Sequence, residues 1–149
     1  MYNHRVVKWN SEASEGTTIS SGQGSANNQF FNPTGLHIDS SNNIYVADQT
    51  NHRIMKWEEN ASNGTVVAGG NGQGSENNQL FNPYGVHVDP SGNIYIADFS
   101  NHRIMKYESG SSTGSIVAGG NGQGTSKSPP KNNPLPTGAL LGMRSSSCR

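Results

Sequence analysis

The chain has 149 residues, of which 30% are hydrophobic and 19 are glycine, with ten basic side chains balanced by ten acidic ones. A soluble domain ordinarily carries about 45–50% apolar residues, so turns take an unusual share of this chain. Zero net charge argues against electrostatic capture of a nucleic-acid backbone or an anionic membrane. No apolar run approaches the ~20 residues of a spanning helix, and the single Cys148 excludes an intrachain disulfide framework or a thiolate metal cluster.

The first nine residues contain Asn3-His4-Arg5-Val6-Val7-Lys8-Trp9, which returns as Asn51 to Trp57 and again as Asn101 to Tyr107. Shifting the chain by 50 positions lays Phe30–Gly74 over Leu80–Gly124 with 29 of 45 residues identical. A period of this length is the mark of stacked supersecondary units. The N-terminal copy is partial, spanning two strands and placed at residues 1–20, with complete repeats at 21–70 and 71–120 and a tail at 121–149.

Within one repeat four short strands, a to d, are expected. In the second full copy strand a is Gly85–Asp89, with Val86 and Val88 on one face and His87 on the other. Asp89-Pro90-Ser91-Gly92 has the residue preferences of a type I turn, and Asn42 replaces Gly92 in the earlier copy because Asn also tolerates positive φ. Strand b follows over Asn93–Asp98, strand c over His102–Tyr107 and strand d over Ser115–Ala118. No segment shows capped helical periodicity, so sequential antiparallel pairing is the economical arrangement. An isolated sheet of this kind cannot bury both faces, and repeating it predicts an all-β, incomplete β-propeller: two four-stranded blades plus an N-terminal half blade. Beyond Gly124 the repeat ceases, and the Ser- and Pro-rich run to Arg149 reads as a disordered tail.

Asn-Pro-x-Gly, Ile-Tyr-Val/Ile-Ala-Asp and Asn-His-Arg-Ile together resemble the NHL repeat family. That resemblance implies a β-propeller, typically six-bladed, used as a scaffold for proteins, RNA or other ligands. The third signature letter in that family is usually aliphatic, whereas Arg5, Arg53 and Arg103 stand there in this chain. Two and a half repeats cannot close a propeller alone, which points to a fragment of a larger ring, completed by further blades or by self-assembly.

The chemistry-bearing residues occur in repeated columns, and repeated groups ordinarily serve the repeat. Asp48, Asn51, His52 and Arg53, with Asp98, Asn101, His102 and Arg103, are therefore expected to form a structural network, with the aspartates accepting hydrogen bonds from turn amides or the nearby His and Arg. His37 and His87 on the innermost strands are the weak metal candidates, yet two imidazoles fall short of the three or four ligands zinc takes. Zinc-dependent lyases with NHL-like blades carry a metal-binding His after the proline, a place held here by Thr34 and Tyr84. The glycine-rich stretch at 69–74 and its copy at 119–124 fit neither a phosphate loop nor a calcium repeat, and read as flexible d–a connections.

The d–a and b–c loops share one rim of such a blade. There Tyr84 and Phe99 replace the Thr34 and Gln49 of the preceding repeat, so these four positions mark a candidate contact rim for a protein or other macromolecular ligand. The sequence implies no catalytic group and no cofactor, and a non-enzymatic binding scaffold is the leading reading. A metal-dependent lyase or hydrolase using His37 and His87 is one alternative, and an RNA-binding segment, disfavoured by the neutral charge, is the other. The sequons Asn60-Ala61-Ser62 and Asn63-Gly64-Thr65 lie on the opposite rim and lean toward an extracellular parent, leaving the compartment open.

Overall fold

The computed structural model describes residues 3–20 and 22–124; the tail expected from Thr125 onward lies outside them. Ten strands occur among the described residues. The short pair β1 (Val7–Lys8) and β2 (Thr17–Thr18) forms the half blade. The first full sheet contains β3 (Pro33–Ile38), β4 (Ile44–Asp48), β5 (Arg53–Trp57) and β6 (Thr65–Gly69), paired in that order. The second contains β7 (Pro83–Val88), β8 (Ile94–Asp98), β9 (Arg103–Tyr107) and β10 (Gly114–Gly119). All neighbours pair antiparallel in sequence order, as the repeat pattern predicted.

Strand limits differ from the expected ones for local reasons. Strand a begins at Pro83, where the missing N–H costs nothing at a strand's first residue, and a register shift follows before Gly85. It ends before Asp89, whose carboxylate accepts the amides of Ser91 and Asn93 (both 2.9 Å) and the Asn93 side chain (2.9 Å). Those bonds hold the Asp89 carboxyl below its ordinary pKa, the Asn93 side chain contributing most. Gly92 and Asn42 occupy positive φ, 81° and 61°, as the residue types required. Strand c starts one residue later than expected because His52 and His102 are left-handed, φ 53° and 52°, and close one-turn 3-10 helices over Gln49–Asn51 and Phe99–Asn101.

Alternation along the strands gives each full sheet two apolar faces. On one face of the first sheet, Ile44, Val46, Met55 and Trp57 join Phe30 and receive Val6 and Ile19 of the half blade. On the other, Tyr45, Ala47, Ile54 and Ala68 meet Val88, Ile96 and Met105 of the second sheet and Leu80 of the connection before it. The five residues of β4 are consequently all buried, whereas the nearly identical β8 buries alternate residues. Strand β7 lies across β3 and β4, so the innermost strand of one blade is the main contact of the next.

Gly35 sits where these strands approach most closely. A Cβ there would stand 2.5 Å from the Tyr84 carbonyl oxygen and 2.9 Å from the Gly85 Cα, whereas one at Gly85 would meet only the Ala97 Cβ at 3.8 Å. Gly35→Ala is therefore expected to cost about 1–3 kcal/mol by forcing the blades apart. Gly85→Ala should stay within about 1 kcal/mol of wild type. Paired urea-unfolding curves test this, and equal midpoints for the two variants would contradict the close approach.

Candidate functional site

The rim is built on two copies of one polar clamp. In the second blade the Phe81 amide donates to Asp98 Oδ1 (2.7 Å), while Asp98 Oδ2 accepts from Asn101 Nδ2 (2.8 Å) and Arg103 Nε (2.7 Å). Arg103 spends its remaining donors on backbone carbonyls, Nη1 on Ser75 (2.6 Å) and Nη2 on Glu76 (3.1 Å) and Gln79 (3.0 Å). Asn101 Nδ2 also donates to the Gly74 carbonyl (2.8 Å). Asp48, Asn51 and Arg53 repeat the arrangement on Phe31, Gly24, Ser25, Ala26 and Gln29. Both ion pairs are buried, and the guanidinium fork suits several fixed acceptors at once.

These bonds revise the reading of the glycine-rich stretch at 69–74 as a flexible linker. The loop before β7 is pinned along its length by Arg103 and Asn101, and Gln73 pairs with Leu80 in an isolated bridge. The glycines allow the tight path, and the arginine fixes it.

The histidines of the first two signatures work in the forward direction. His4 Nδ1 accepts the Asn32 amide (2.9 Å) and His52 Nδ1 the Asn82 amide (3.1 Å), each at the entry to the next blade. Phe31 and Phe81 meet these imidazoles edge to face at 5.3 and 5.7 Å. Burial pushes the His52 pKa down against the opposing pull of Asp98 and Asp48. An Nδ1 that accepts an amide cannot be protonated while it does so, which works in the same direction.

Upon this frame, Tyr84 and Phe99 are exposed and pack together at 6.1 Å between ring centroids. Their counterparts do different work. Thr34 Oγ1 donates to the carbonyls of Tyr84 (2.9 Å) and Pro83 (3.3 Å), tying the first blade to the second, and Gln49 accepts a hydrogen bond from Asn32 Nδ2. The structure thus joins two of the four rim residues into an aromatic pair and engages the other two in the framework.

His37 and His87 also come together, edge to face at 4.8 Å, with Tyr45 and Tyr95 each 6.4 Å from its cross-strand histidine. Burial, then the neighbouring His87, lowers the His37 pKa, and Asp39 partly offsets this. Among the described residues no group of three or more His, Cys, Asp or Glu converges on one point.

The NHL repeat family model matches residues 30–57 and 82–107, the two stretches that hold strands a to c and the Asp, Asn and Arg side chains of each clamp. These two segments are NHL repeats. No match was found among the curated proteins. In this version of the NHL repeat the third signature position, Arg53 or Arg103, is a structural cation that anchors the loop entering its own blade.

Two outcomes test the clamp. Asp98→Ala leaves the buried Arg103 without its carboxylate and should cost about 3–5 kcal/mol, read as a lowered urea midpoint. An unchanged midpoint would mean the pair contributes nothing to stability. Because the folded state holds His52 and His37 below the ordinary value of 6.5, their contribution is complete above that pH and declines as pH falls through it. Wild-type Tm should therefore drop between pH 7.5 and 5.5, and His52→Gln should show a shallower drop over the same window.

Proposed function

We propose that the chain is a non-enzymatic binding scaffold whose contact surface is the rim carrying Tyr84 and Phe99, and that its ligand is a protein segment. The observation that carries this reading is the exposed aromatic pair on a rigidly clamped rim. Aromatic rings supply large contact area with few torsions to freeze, and they are enriched among the residues that dominate interface energetics. The adjoining loop backbone is fixed by Arg103, so little ordering remains to oppose binding. Zero net charge favours such a surface over one that tracks phosphates.

The first blade supplies its own control. Tyr84→Thr with Phe99→Gln installs the residues that the preceding repeat carries at the same places, and both side chains are exposed, so folding should be preserved. Peptides selected from a phage-displayed library on the immobilised chain are expected to bind the double variant at least about tenfold more weakly. Selected peptides that bind wild type and variant equally would place the contact surface elsewhere.

A further inference from the structure

An asparagine followed by glycine is a place where a chain can react with itself. Glycine has no Cβ to shield its backbone nitrogen, so that nitrogen can reach the side-chain carbonyl carbon of the preceding asparagine. The described residues hold Asn63-Gly64 in the c–d loop of the first blade, Asn71-Gly72 in the connection between the two full blades, and Asn121-Gly122 after β10. In sequence the first two are equivalent, but the fold separates them.

Asn63 is exposed, yet the nitrogen that would attack it is committed. Gly64 is buried, its amide donates to the Asn27 carbonyl at 2.8 Å, and a Cβ at its place would stand 2.8 Å from the Trp57 ring. The second blade repeats that bond from Gly114 to the Asn77 carbonyl (2.8 Å), so it belongs to the framework. Gly72 is exposed at φ 80°, a Cβ there would meet nothing within 4 Å, and its amide donates to no acceptor among the described residues. Asn71 is held by neutral bonds at the surface, its Nδ2 donating to the carbonyls of Asn78 (2.9 Å) and Gly69 (3.4 Å), and water competes for both. The preceding repeat carries Ser21-Gly22 at the same place, with Gly22 also at positive φ, so the backbone path calls for the glycine and not for the asparagine.

We propose that Asn71 is a site of self-modification, converting to aspartyl and isoaspartyl residues with water as the only co-reactant, and that the fold protects Asn63. The Gly72 nitrogen gives up its proton and bonds to Asn71 Cγ. The Cγ–Nδ2 bond breaks, and ammonia leaves with that proton, closing a succinimide. Water then opens the ring on either side: cleaving the new Cγ–N bond leaves aspartate, and cleaving the original peptide bond leaves isoaspartate. The product carries one more negative charge, on a chain whose formal charge is zero. In the aspartyl form a carboxylate oxygen replaces the amide donor that faces the Asn78 and Gly69 carbonyls. In the isoaspartyl form the Asn71 carbonyl that accepts from Gln79 Nε2 (3.1 Å) leaves the main chain. Either change loosens the connection just before the point where Asn101 and Arg103 clamp it. The site lies between two blades that the chain itself supplies, and its fate is independent of the Tyr84 rim.

Incubating the folded chain at mildly alkaline pH and mapping its peptides by mass spectrometry with fragmentation tests the proposal. The one-dalton gain of deamidation should appear at Asn71 at least about fivefold faster than at Asn63, the factor that one protected amide hydrogen bond supplies. The Asn71 peptide should become a substrate for an isoaspartyl methyltransferase, and Asn71→Ser, which installs the residue of the preceding repeat, should lose that methylated peptide. In urea the two rates should converge, because the bond from Gly64 is then broken. Asn121-Gly122 is resolved in the same maps and does not enter the ratio. Absence of product at Asn71, or Asn63 reacting as fast as Asn71 in the folded chain, overturns the proposal, as does a difference that survives in urea.

Discussion

The structure depends on burying a charge pair and surrounding it with hydrogen-bond partners. Removing a carboxylate and a guanidinium from water costs several kcal/mol per ion, and the pair is tolerable only where the remaining donors and acceptors are satisfied. Arg103 meets that condition with backbone carbonyls of a loop more than 20 positions earlier, and Asp98 with the Phe81 amide and the Asn101 side chain. The consequence is geometric. Phe99 follows the clamped Asp98 directly, and Tyr84 lies three residues after the clamped Phe81 amide, so the rim pair inherits its position from the buried pair.

Near-identity of the repeats lets environment be separated from residue type. Ile-Tyr-Val-Ala-Asp and Ile-Tyr-Ile-Ala-Asp make the same strand, but the first is buried throughout and the second on alternate residues. The difference comes from what lies on each side of the sheet. Gly35 and Gly85 give the same lesson in the backbone, since a Cβ on the former would point into the neighbouring blade whereas one on the latter would meet only its own sheet. Stability in such a stack resides in the contacts between units as well as within them.

The strands were legible because period-two alternation and explicit turn residues mark them, and Asp89-Pro90-Ser91-Gly92 set the a–b connection without ambiguity. The membership of the clamp was legible as well, since Asp, Asn, His and Arg recur together. Their partners were not. Arg103 donates mainly to carbonyls, and a carbonyl carries no residue identity, so no sequence pattern announces that the glycine-rich loop is held. The same blindness hid the forward reach of His52 to the Asn82 amide and of Thr34 to the Tyr84 carbonyl. Trp57 and Tyr107 look interchangeable, yet the Tyr107 hydroxyl donates to the Asn77 carbonyl (3.0 Å) while the Trp57 indole N–H has no partner among the described residues. An indole and a phenol place their polar atoms differently on similar rings, and the backbone acceptor suits only one.

The contrast between Thr34 and Tyr84 connects folding to recognition. Thr34 uses its hydroxyl to bind the next blade, a bond that a neutral pair makes worth about 1 kcal/mol. At the same place in the second blade Tyr84 projects into solvent and packs on Phe99. A position that joins blades in one repeat is thereby released in the other, and what it presents is apolar surface that folding leaves uncovered among the described residues. The clamp makes that release tolerable, because Asp98, Asn101 and Arg103 hold the second blade without help from its rim. Divergence between the repeats is concentrated where the buried network does not constrain the side chain, and a binding surface can vary there without disturbing the stack.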